Sequence, residues 1–401
     1  MSTPPDEDRP QEPAARLILN IGVAGLCRFI LNTSRRFVYP FAPVLSRGLG
    51  VPLTAITSLI ALNWATGIMA IFVGPVTDRL GYRFMMIAGM ILLAVGLLVS
   101  GFFPLYAVVL IALFLAALGK AVFDPAVQAY ISEQVPYRRR GLAIGFLEYS
   151  WAGSALVGIP ALALIIDRFG WRSPFFLMGL LALLGIAALL VLIPRQKDHA
   201  SLHPKIDLKA AWQRVLQEKT TRGALAFIFL VSAANDNLFV AYGAWMEKSF
   251  GLGIVTLGLG TSAIGLAELL GETLTATLAD RIGLKRSVMT GLALCIIFYA
   301  ILPFVGQTIT MAFVSLFLIF VTFEFMLVTS VSMATELLPE ARATMMATYM
   351  GAAGLGRAVG ALIGGPVWLT GGIFATGLVS AFISALALGS LWWGLQGWHK
   401  R

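Results

Sequence analysis

The sequence predicts an all-α integral membrane protein with twelve transmembrane helices in two pseudo-symmetric six-helix bundles. Three features support this fold class: the composition, the number of long apolar runs, and a polar turn that occurs twice. Hydrophobic residues make up 58% of the 401 residues and charged residues 12%, with a mean hydropathy of +0.86. Soluble domains carry about 25% charged residues. This composition therefore excludes an ordinary soluble domain.

The apolar runs are long enough to cross a membrane. A hydrocarbon core of about 30 Å requires about 20 apolar residues in a helix. Lipid offers the backbone no hydrogen-bond partner, so each run is expected to be helical. The twelve predicted spans are 18–42, 54–75, 85–103, 105–132, 142–166, 174–194, 223–246, 254–278, 287–304, 309–335, 343–369 and 373–394.

The N-terminal residues 1–16 are acidic and proline-rich. They lack the basic region and small-residue cleavage site of a signal peptide, so we expect a short disordered cytoplasmic tail. Cys27 and Cys295 both fall inside predicted helices, which argues against a disulfide framework. His199 and His203 have no further ligand nearby, so neither a metal site nor a cofactor is expected.

The basic residues predict the orientation of the helices. If the N-terminus is cytoplasmic, the inside segments hold twenty Lys and Arg and the outside loops hold four. The positive-inside rule then places both termini in the cytoplasm, in a bacterial-type inner membrane. These loops face anionic lipid, so the net charge of +9 needs no nucleic-acid partner.

A long polar segment divides the chain between the sixth and seventh predicted spans. The predicted organisation is a tail (1–16), an N-terminal bundle (17–195), a linker (196–221), a C-terminal bundle (222–396) and a second cytoplasmic tail (397–401). Within the linker, the stretch "IDLKAAWQRVLQEKT" has apolar residues loosely on one helical face. We expect this stretch to form an interfacial helix.

The two halves share sequence features at equivalent places. "GPVTDRLGYR" lies between the second and third spans, and "ATLADRIGLKR" lies between the eighth and ninth, with Asp280 following Asp78 by 202 positions. A second correspondence follows the fourth and tenth spans. It relates Glu133, Pro136 and Arg139 to Glu336, Pro339 and Arg342. Two similar halves in parallel orientation are typical of one class of secondary transporter.

At these turns the chain resembles the major facilitator superfamily, whose cytoplasmic loop reads G-x-x-x-D-R-x-G-R-K. The resemblance covers nearly the whole chain and implies transport by rocking of the two halves. It also implies that the two turns latch the cytoplasmic side, with Asp78 pairing with a basic cluster or with helix N-termini. The expected latch residues are Gly74, Asp78, Arg79, Gly81, Arg83, Arg139, Asp280, Arg281, Gly283 and Arg342. Within the family, the pattern is most similar to bacterial drug or organic-solute:proton antiporters. Their fifth-helix motif is matched in part by Gly153, Gly158 and Pro160.

Eleven ionisable residues fall inside predicted spans, where each costs about 2.5 kcal/mol or more on insertion scales. The basic residues are Arg28, Arg35, Arg36, Lys120 and Arg357, and the acidic residues are Asp124, Glu148, Asp236, Glu268, Glu272 and Glu324. Some of them are expected to neutralise one another: Lys120 and Asp124 are one turn apart, and Arg357 is expected to reach Glu324 or Glu268. Such pairing does not easily explain all eleven.

The acids predict proton coupling, because a carboxylate that faces a partly dehydrated cavity can take and release protons. The expected proton-coupling residues are Asp236, Glu268, Glu272, Glu324, Asp124 and Glu148. If unpaired, Glu268 and Glu272 are expected to share a proton, since they stack on one face of a helix. The expected substrate-binding residues are Arg28, Arg36, Lys120, Asn235, Asn237, Tyr149, Trp245 and Arg357.

Aromatic residues close to these charges in the sequence predict an amphiphilic substrate. The leading hypothesis is therefore proton-coupled efflux of a small amphiphilic organic molecule. The alternatives are proton-coupled movement of an organic anion, favoured by the basic residues of the N-terminal half, and a facilitative uniporter. The sequence contains no nucleophile–base pair, P-loop or metal cluster inside the spans, which argues against an enzyme or an ATP-driven pump. The expected partners are the substrate, protons and membrane lipids, and the expected state is a monomer.

Overall fold

The computed structural model describes residues 14–69, 80–135, 137–194, 215, 217–338 and 342–398. Throughout these residues the chain forms helices joined by short turns and contains no strand. The tail 1–13, most of the turn around Asp78, and most of the predicted linker 196–221 lie outside the described residues. Most of the stretch expected to form an interfacial helix lies in this part of the linker, and the last two residues of that stretch begin α9 instead.

The N-terminal half, residues 14–194, contains eight described α-helices. They are α1 (Ala14–Arg36), α2 (Ala42–Leu49), α3 (Leu53–Ala65), α4 (Tyr82–Phe102), α5 (Tyr106–Gln134), α6 (Tyr137–Gly153), α7 (Ile159–Phe169) and α8 (Ser173–Leu192). A 3₁₀ turn, Thr66–Met69, extends α3, and a π-helical turn, Ser154–Gly158, joins α6 to α7.

The C-terminal half, residues 217–398, repeats this order. Its described helices are α9 (Lys219–Phe239), α10 (Tyr242–Phe250), α11 (Ile254–Ile282), α12 (Leu284–Val305), α13 (Ile309–Leu337) and α14 (Arg342–Gly394). Helix α14 covers two of the predicted spans, and Gly372, with a non-helical φ of 57°, separates them.

The described helices account for the predicted number of spans. Ten are long and apolar enough to cross a membrane, and the bent pair formed by α2 and α3 adds one more. Dividing α14 at Gly372 gives the twelfth. An all-α fold is expected in a membrane, because only internally satisfied backbones tolerate lipid.

The first predicted span, 18–42, ends earlier than the sequence indicates. Helix α1 stops at Arg36, and the chain turns through residues 37–41 before α2 begins. The seventh span has a matching break at residues 240–241, between α9 and α10. The apolar run continues across each break, so hydropathy alone did not reveal it. Tyr39 lies in the first break and Asp236 lies three residues before the end of α9, and both side chains are buried.

The two halves meet along several pairs of helices. Helix α2 contacts α10, α3 contacts α14, and α6, α7 and the π-helical turn between them contact α11. We call the end of the molecule that carries Gly81 and Gly283 the turn end, and the opposite end the distal end. At the distal side, Ser262 of α11 donates a hydrogen bond of 2.9 Å to the Leu156 carbonyl of the π-helical turn.

Candidate functional site

Charged and aromatic side chains meet at the junction of the two halves. We call this group the interface layer; its members are Arg36, Tyr39, Trp64, Asp236, Glu268 and Arg357. They come from α1, the turn after α1, α3, α9, α11 and α14. Each half contributes three of them, so the layer joins the halves directly.

Arg36 and Glu268 form a two-pronged ion pair across the interface. The Arg36 Nη2 atom lies 2.7 Å from Glu268 Oε1, and Nη1 lies 2.9 Å from Oε2. Both residues are buried. Arg36 Nη1 also donates to the Trp151 carbonyl at 2.9 Å, and its guanidinium lies 4.2 Å from the Trp151 ring centre. A planar guanidinium suits such a site, because it holds a carboxylate with two parallel bonds and stacks on an aromatic face.

Asp236 is fully buried and receives hydrogen bonds from both halves. The Tyr39 hydroxyl donates to Oδ1 at 2.5 Å, and Arg357 Nη1 donates to Oδ2 at 3.2 Å. The Trp64 indole nitrogen in turn donates to the Tyr39 hydroxyl. A charge can be buried in this way only when it is paired and hydrogen-bonded.

A second group of charges lies nearer the turn end and belongs to the N-terminal half alone. We call it the N-half cluster: Arg28, Lys120, Asp124 and Glu148. Arg28 lies 3.2 Å from Asp124 and 3.0 Å from Glu148, and Lys120 lies 2.7 Å from Asp124. Arg28 precedes Arg36 by eight residues, which places the cluster about 12 Å from the interface layer along α1.

Exposure of the carboxylates increases from the interface layer towards the turn end. The Asp236 and Glu268 side chains are 0% and 4% exposed. Those of Asp124 and Glu148 are 24% and 46% exposed. Glu272, one turn beyond Glu268, is also only partly buried. The paired carboxylates nearer the turn end are therefore more exposed than those of the interface layer.

Among the described residues, two acids and one base inside the membrane spans have no counterion. Within the described part of the chain, neither Glu324 nor Glu272 makes a hydrogen bond or an ion pair, although Glu324 is buried. Arg35 donates at 2.5 Å to the Asn63 side chain, and its guanidinium lies 3.6 Å from the Trp64 ring centre, but it contacts no described carboxylate within ion-pair distance. Of the eleven, these three charged groups are thus the ones that lack an ion-pair partner in the part of the chain that the structure describes.

The pairing differs in part from the sequence-based expectations. Lys120 pairs with Asp124 as expected. Arg357, however, pairs with Asp236 rather than with Glu324 or Glu268. Since Arg36 neutralises Glu268, the condition for proton sharing between Glu268 and Glu272 is not met. The Arg357–Asp236 and Arg36–Glu268 partners come from different helices, so these two pairs could not be worked out from spacing along the chain.

The remaining expected substrate-binding residues lie away from the interface layer. Asn237 donates at 3.1 Å and 3.0 Å to Thr376 and Ser380 of α14, and Asn235 accepts a hydrogen bond of 3.3 Å from Tyr299 of α12. Both asparagines therefore join helices within the C-terminal half. Trp245 packs on Phe250 in α10 at the distal end, and Tyr149 is largely exposed.

The described parts of the two turns match each other. Gly81 and Gly283 each precede a helix with a positive φ, 82° and 92°, a conformation that suits glycine. Arg83 donates to the Leu190 carbonyl, and Arg281 lies in the last turn of α11. Gly74, Asp78 and Arg79 lie outside the described residues, as do the side chains of Arg139, Asp280 and Arg342.

Tyr39, Asn63 and Trp64 were missed as site residues by the sequence reasoning. In the sequence, Tyr39 and Trp64 are recognisable as aromatic residues near charges, but not as hydrogen-bonding partners of a buried acid. The sequence signal for them is that Tyr39 follows Arg35 and Arg36, and that Trp64 follows Asn63, in otherwise apolar runs.

Comparison with known proteins identifies the family. The model of the Major Facilitator Superfamily matches residues 24–235 and 224–396. The chain belongs to this superfamily of membrane transporters and is not an enzyme.

Similar curated proteins are bacterial. The MFS-type transporter YceJ of Bacillus subtilis (strain 168), itself described as uncharacterized, is 23% identical over 365 residues, covering 90% of this chain and 92% of the relative. A multi-drug resistance efflux pump PmrA homolog of Lactococcus lactis subsp. lactis (strain IL1403) is 25% identical, covering 71% of this chain and 72% of the relative. The multidrug resistance protein MdtG of Citrobacter koseri is 24% identical, with the same coverage.

Solved structures confirm the fold. A bacterial homolog of the human lysosomal transporter Spinster, in an inward-facing and occupied conformation, superposes with a TM-score of 0.75 at 14% identity, covering 96% of this chain and 97% of that chain. A POT family transporter in complex with 5-aminolevulinic acid superposes with a TM-score of 0.73 at 16% identity, covering 95% of each chain.

Proposed function

We propose that this transporter is a secondary active exporter that exchanges protons for a small amphiphilic organic molecule. The observation that carries the proposal is the interface layer. Asp236 and Glu268 are buried carboxylates, and each is held by a residue of the opposite half. Neutralising either carboxylate with a proton weakens a bond between the halves, and proton binding is thereby linked to their separation.

The exposure gradient supports alternating access by rocking of the halves. Distal closure with greater access at the turn end corresponds to one of the two states that such a mechanism requires. In the proposed cycle, residues 17–195 rock against residues 222–396 and the turns around Asp78 and Asp280 latch the opposite state. The chain acts as a monomer in the bacterial inner membrane, with both termini in the cytoplasm.

The aromatic residues support an amphiphilic substrate. The rings of Trp64 and Trp151 lie 6.3 Å apart beside the buried charges, and Tyr39 stacks on Phe239 at 4.3 Å. Flat apolar surfaces with a few charged groups are suited to small organic molecules. Two curated relatives are named as multidrug efflux or resistance proteins, which supports efflux over uptake.

An organic anion is the second candidate substrate, and Arg35 is the observation that favours it. Arg28, Arg36 and Lys120 are neutralised by carboxylates, whereas Arg35 rests on a neutral asparagine and an indole ring. Against this candidate, Glu272 and Glu324 favour a cation. The charge of the transported molecule distinguishes the two candidates.

Proton movement in inside-out vesicles tests the proposal. A pH gradient is imposed on vesicles that contain the purified chain, and lipophilic cations, organic anions and sugars are added in turn. Collapse of the gradient by one class, lost in Asp236→Asn, is expected. If no class collapses the gradient but a substrate equilibrates without it, the chain is a uniporter and the proton-coupling proposal is wrong.

A further inference from the structure

Four side chains of the interface layer form a closed ring of contacts: Trp64, Tyr39, Asp236 and Arg357. Trp64 Nε1 donates to the Tyr39 hydroxyl, and the hydroxyl donates to Asp236 Oδ1 at 2.5 Å. Arg357 Nη1 donates to Oδ2 at 3.2 Å. The Arg357 guanidinium lies 4.5 Å from the Trp64 ring centre and closes the ring.

The chemistry of the ring fixes the direction of the Tyr39–Asp236 bond. An indole nitrogen donates and never accepts, so Trp64 occupies a lone pair of the Tyr39 oxygen. The single hydroxyl proton of Tyr39 is then left for Asp236. Successive bonds of this kind also polarise one another in a dry environment. These bonds therefore act in favour of the charged carboxylate at position 236, against the effect of its burial.

The ring is divided between the two halves. Tyr39 and Trp64 belong to the N-terminal half, and Asp236 and Arg357 to the C-terminal half. Separation of the halves would withdraw Tyr39 and leave Asp236 with Arg357 alone. The Tyr39 bond accordingly favours the charged form of Asp236 only while the distal end is closed.

We propose that Tyr39 and Trp64 are positioning residues that make proton binding by Asp236 depend on whether the distal end is closed. This inference rests on the proposed proton-coupled function and adds the residues that set the coupling. With the distal end closed, the Tyr39 bond offsets part of the cost of burying a charge on Asp236. When that end opens, Asp236 loses the bond, and this loss favours uptake of a proton from the newly accessible side. By linkage, protonation of Asp236 favours opening to the same extent.

The other charged and titratable groups that act on Asp236 do not take over the role of Tyr39. Arg35 of α1 and Tyr299 of α12 act on Asp236 through space. Arg35 is fixed by Asn63, and the Tyr299 hydroxyl donates to Asn235 at 3.3 Å. Replacing Tyr39 with Phe leaves both in place. The replacement also keeps the stack on Phe239, because that stack uses only the ring.

Tyr39→Phe tests the proposal through the pH profile of transport. Losing a hydrogen bond to a charged group favours the protonated carboxylate, so the midpoint of the profile is expected to move upward by about one pH unit. Trp64→Phe is expected to move it in the same direction by less, because the Tyr39 hydroxyl remains but is no longer oriented. The matched control is Tyr349→Phe. It removes an equally buried hydroxyl, bonded to Ser330 at 2.9 Å, outside the interface layer, and is expected to leave the midpoint unchanged.

A second measurement covers the case in which a variant folds but does not transport. The carboxyl C=O stretch of the purified protein is titrated by infrared difference spectroscopy, and the band that Asp236→Asn removes is assigned to Asp236. Tyr39→Phe is expected to move the midpoint of this band upward by about one pH unit. An unchanged band midpoint, or an equal shift in Tyr349→Phe, would overturn the inference. A wild-type protein whose transport does not depend on pH would instead contradict the proposed function.

Discussion

At the scale of single residues, the two halves are joined by a deeply buried ion pair between Arg36 and Glu268. Removing one partner of such a pair leaves a charge buried without compensation, at a cost of about 3–5 kcal/mol. The pair has an exposed counterpart at the distal surface: Arg47 and Glu247 lie 2.6 Å apart, with side chains 60% and 35% exposed. Among the described residues, the two halves are thus joined by one buried and one exposed ion pair.

A double-mutant cycle on each pair measures this difference. Arg36→Gln and Glu268→Gln, alone and together, are expected to give a coupling energy of about 1.5–3 kcal/mol in thermal unfolding of the detergent-solubilised protein. The same cycle on Arg47 and Glu247 is the control, with an expected coupling of about 0.2–1 kcal/mol because water screens the pair. Equal coupling in the two cycles would mean that burial does not strengthen the Arg36–Glu268 pair.

At the scale of single elements, the π-helical turn Ser154–Gly158 is the feature that joins the two halves. A π turn shifts the helical hydrogen bonds by one residue and often occurs at functional sites. Here the Trp151 carbonyl just before it accepts from Arg36, and the Leu156 carbonyl accepts from Ser262 of the other half. At Gly265 of α11, an added Cβ would lie 2.6 Å from the Leu156 nitrogen. The turn therefore depends on a close approach by α11.

Gly265→Ala tests whether this close approach holds the distal side together. The methyl group must push α11 away from the π-helical turn, so we expect a loss of about 1–3 kcal/mol in the free energy of unfolding. We also expect thiol reagents to react faster with a cysteine introduced at the distal end. Gly389→Ala in α14 is the control, since an added Cβ there meets no atom within 4 Å. The control is expected to be neutral or slightly stabilising, as Ala favours helix over Gly. Equal effects at both positions would contradict the importance of this contact.

At the scale of the whole molecule, apolar runs and the repeated turn were sufficient to predict the fold. Hydropathy reports burial in lipid, so it located the twelve spans, and the second Asp-Arg turn indicated a duplicated half. The same signal failed at residues 37–41, where the chain breaks inside an apolar run. It also could not pair Arg357 with Asp236, because partners 121 residues apart meet only after the helices pack. Composition locates elements, whereas ion pairing depends on their three-dimensional arrangement.

The central claim is that protonation of the interface layer controls the separation of the two halves. Double electron–electron resonance on purified protein in nanodiscs tests it most directly. One spin-label pair replaces Phe169 of α7 and Phe304 of α12 at the distal end, and another replaces Val191 of α8 and Ile282 of α11 at the turn end. All four side chains are exposed, whereas the native Cys27 and Cys295 are buried.

Lowering the pH is expected to lengthen the distal distance and shorten the turn-end distance in the wild type. Asp236→Asn combined with Glu268→Gln is expected to hold the low-pH distances at every pH, because the neutral side chains mimic the protonated acids. Distances that ignore pH in the wild type, or a double variant that still responds to pH as the wild type does, would contradict the account.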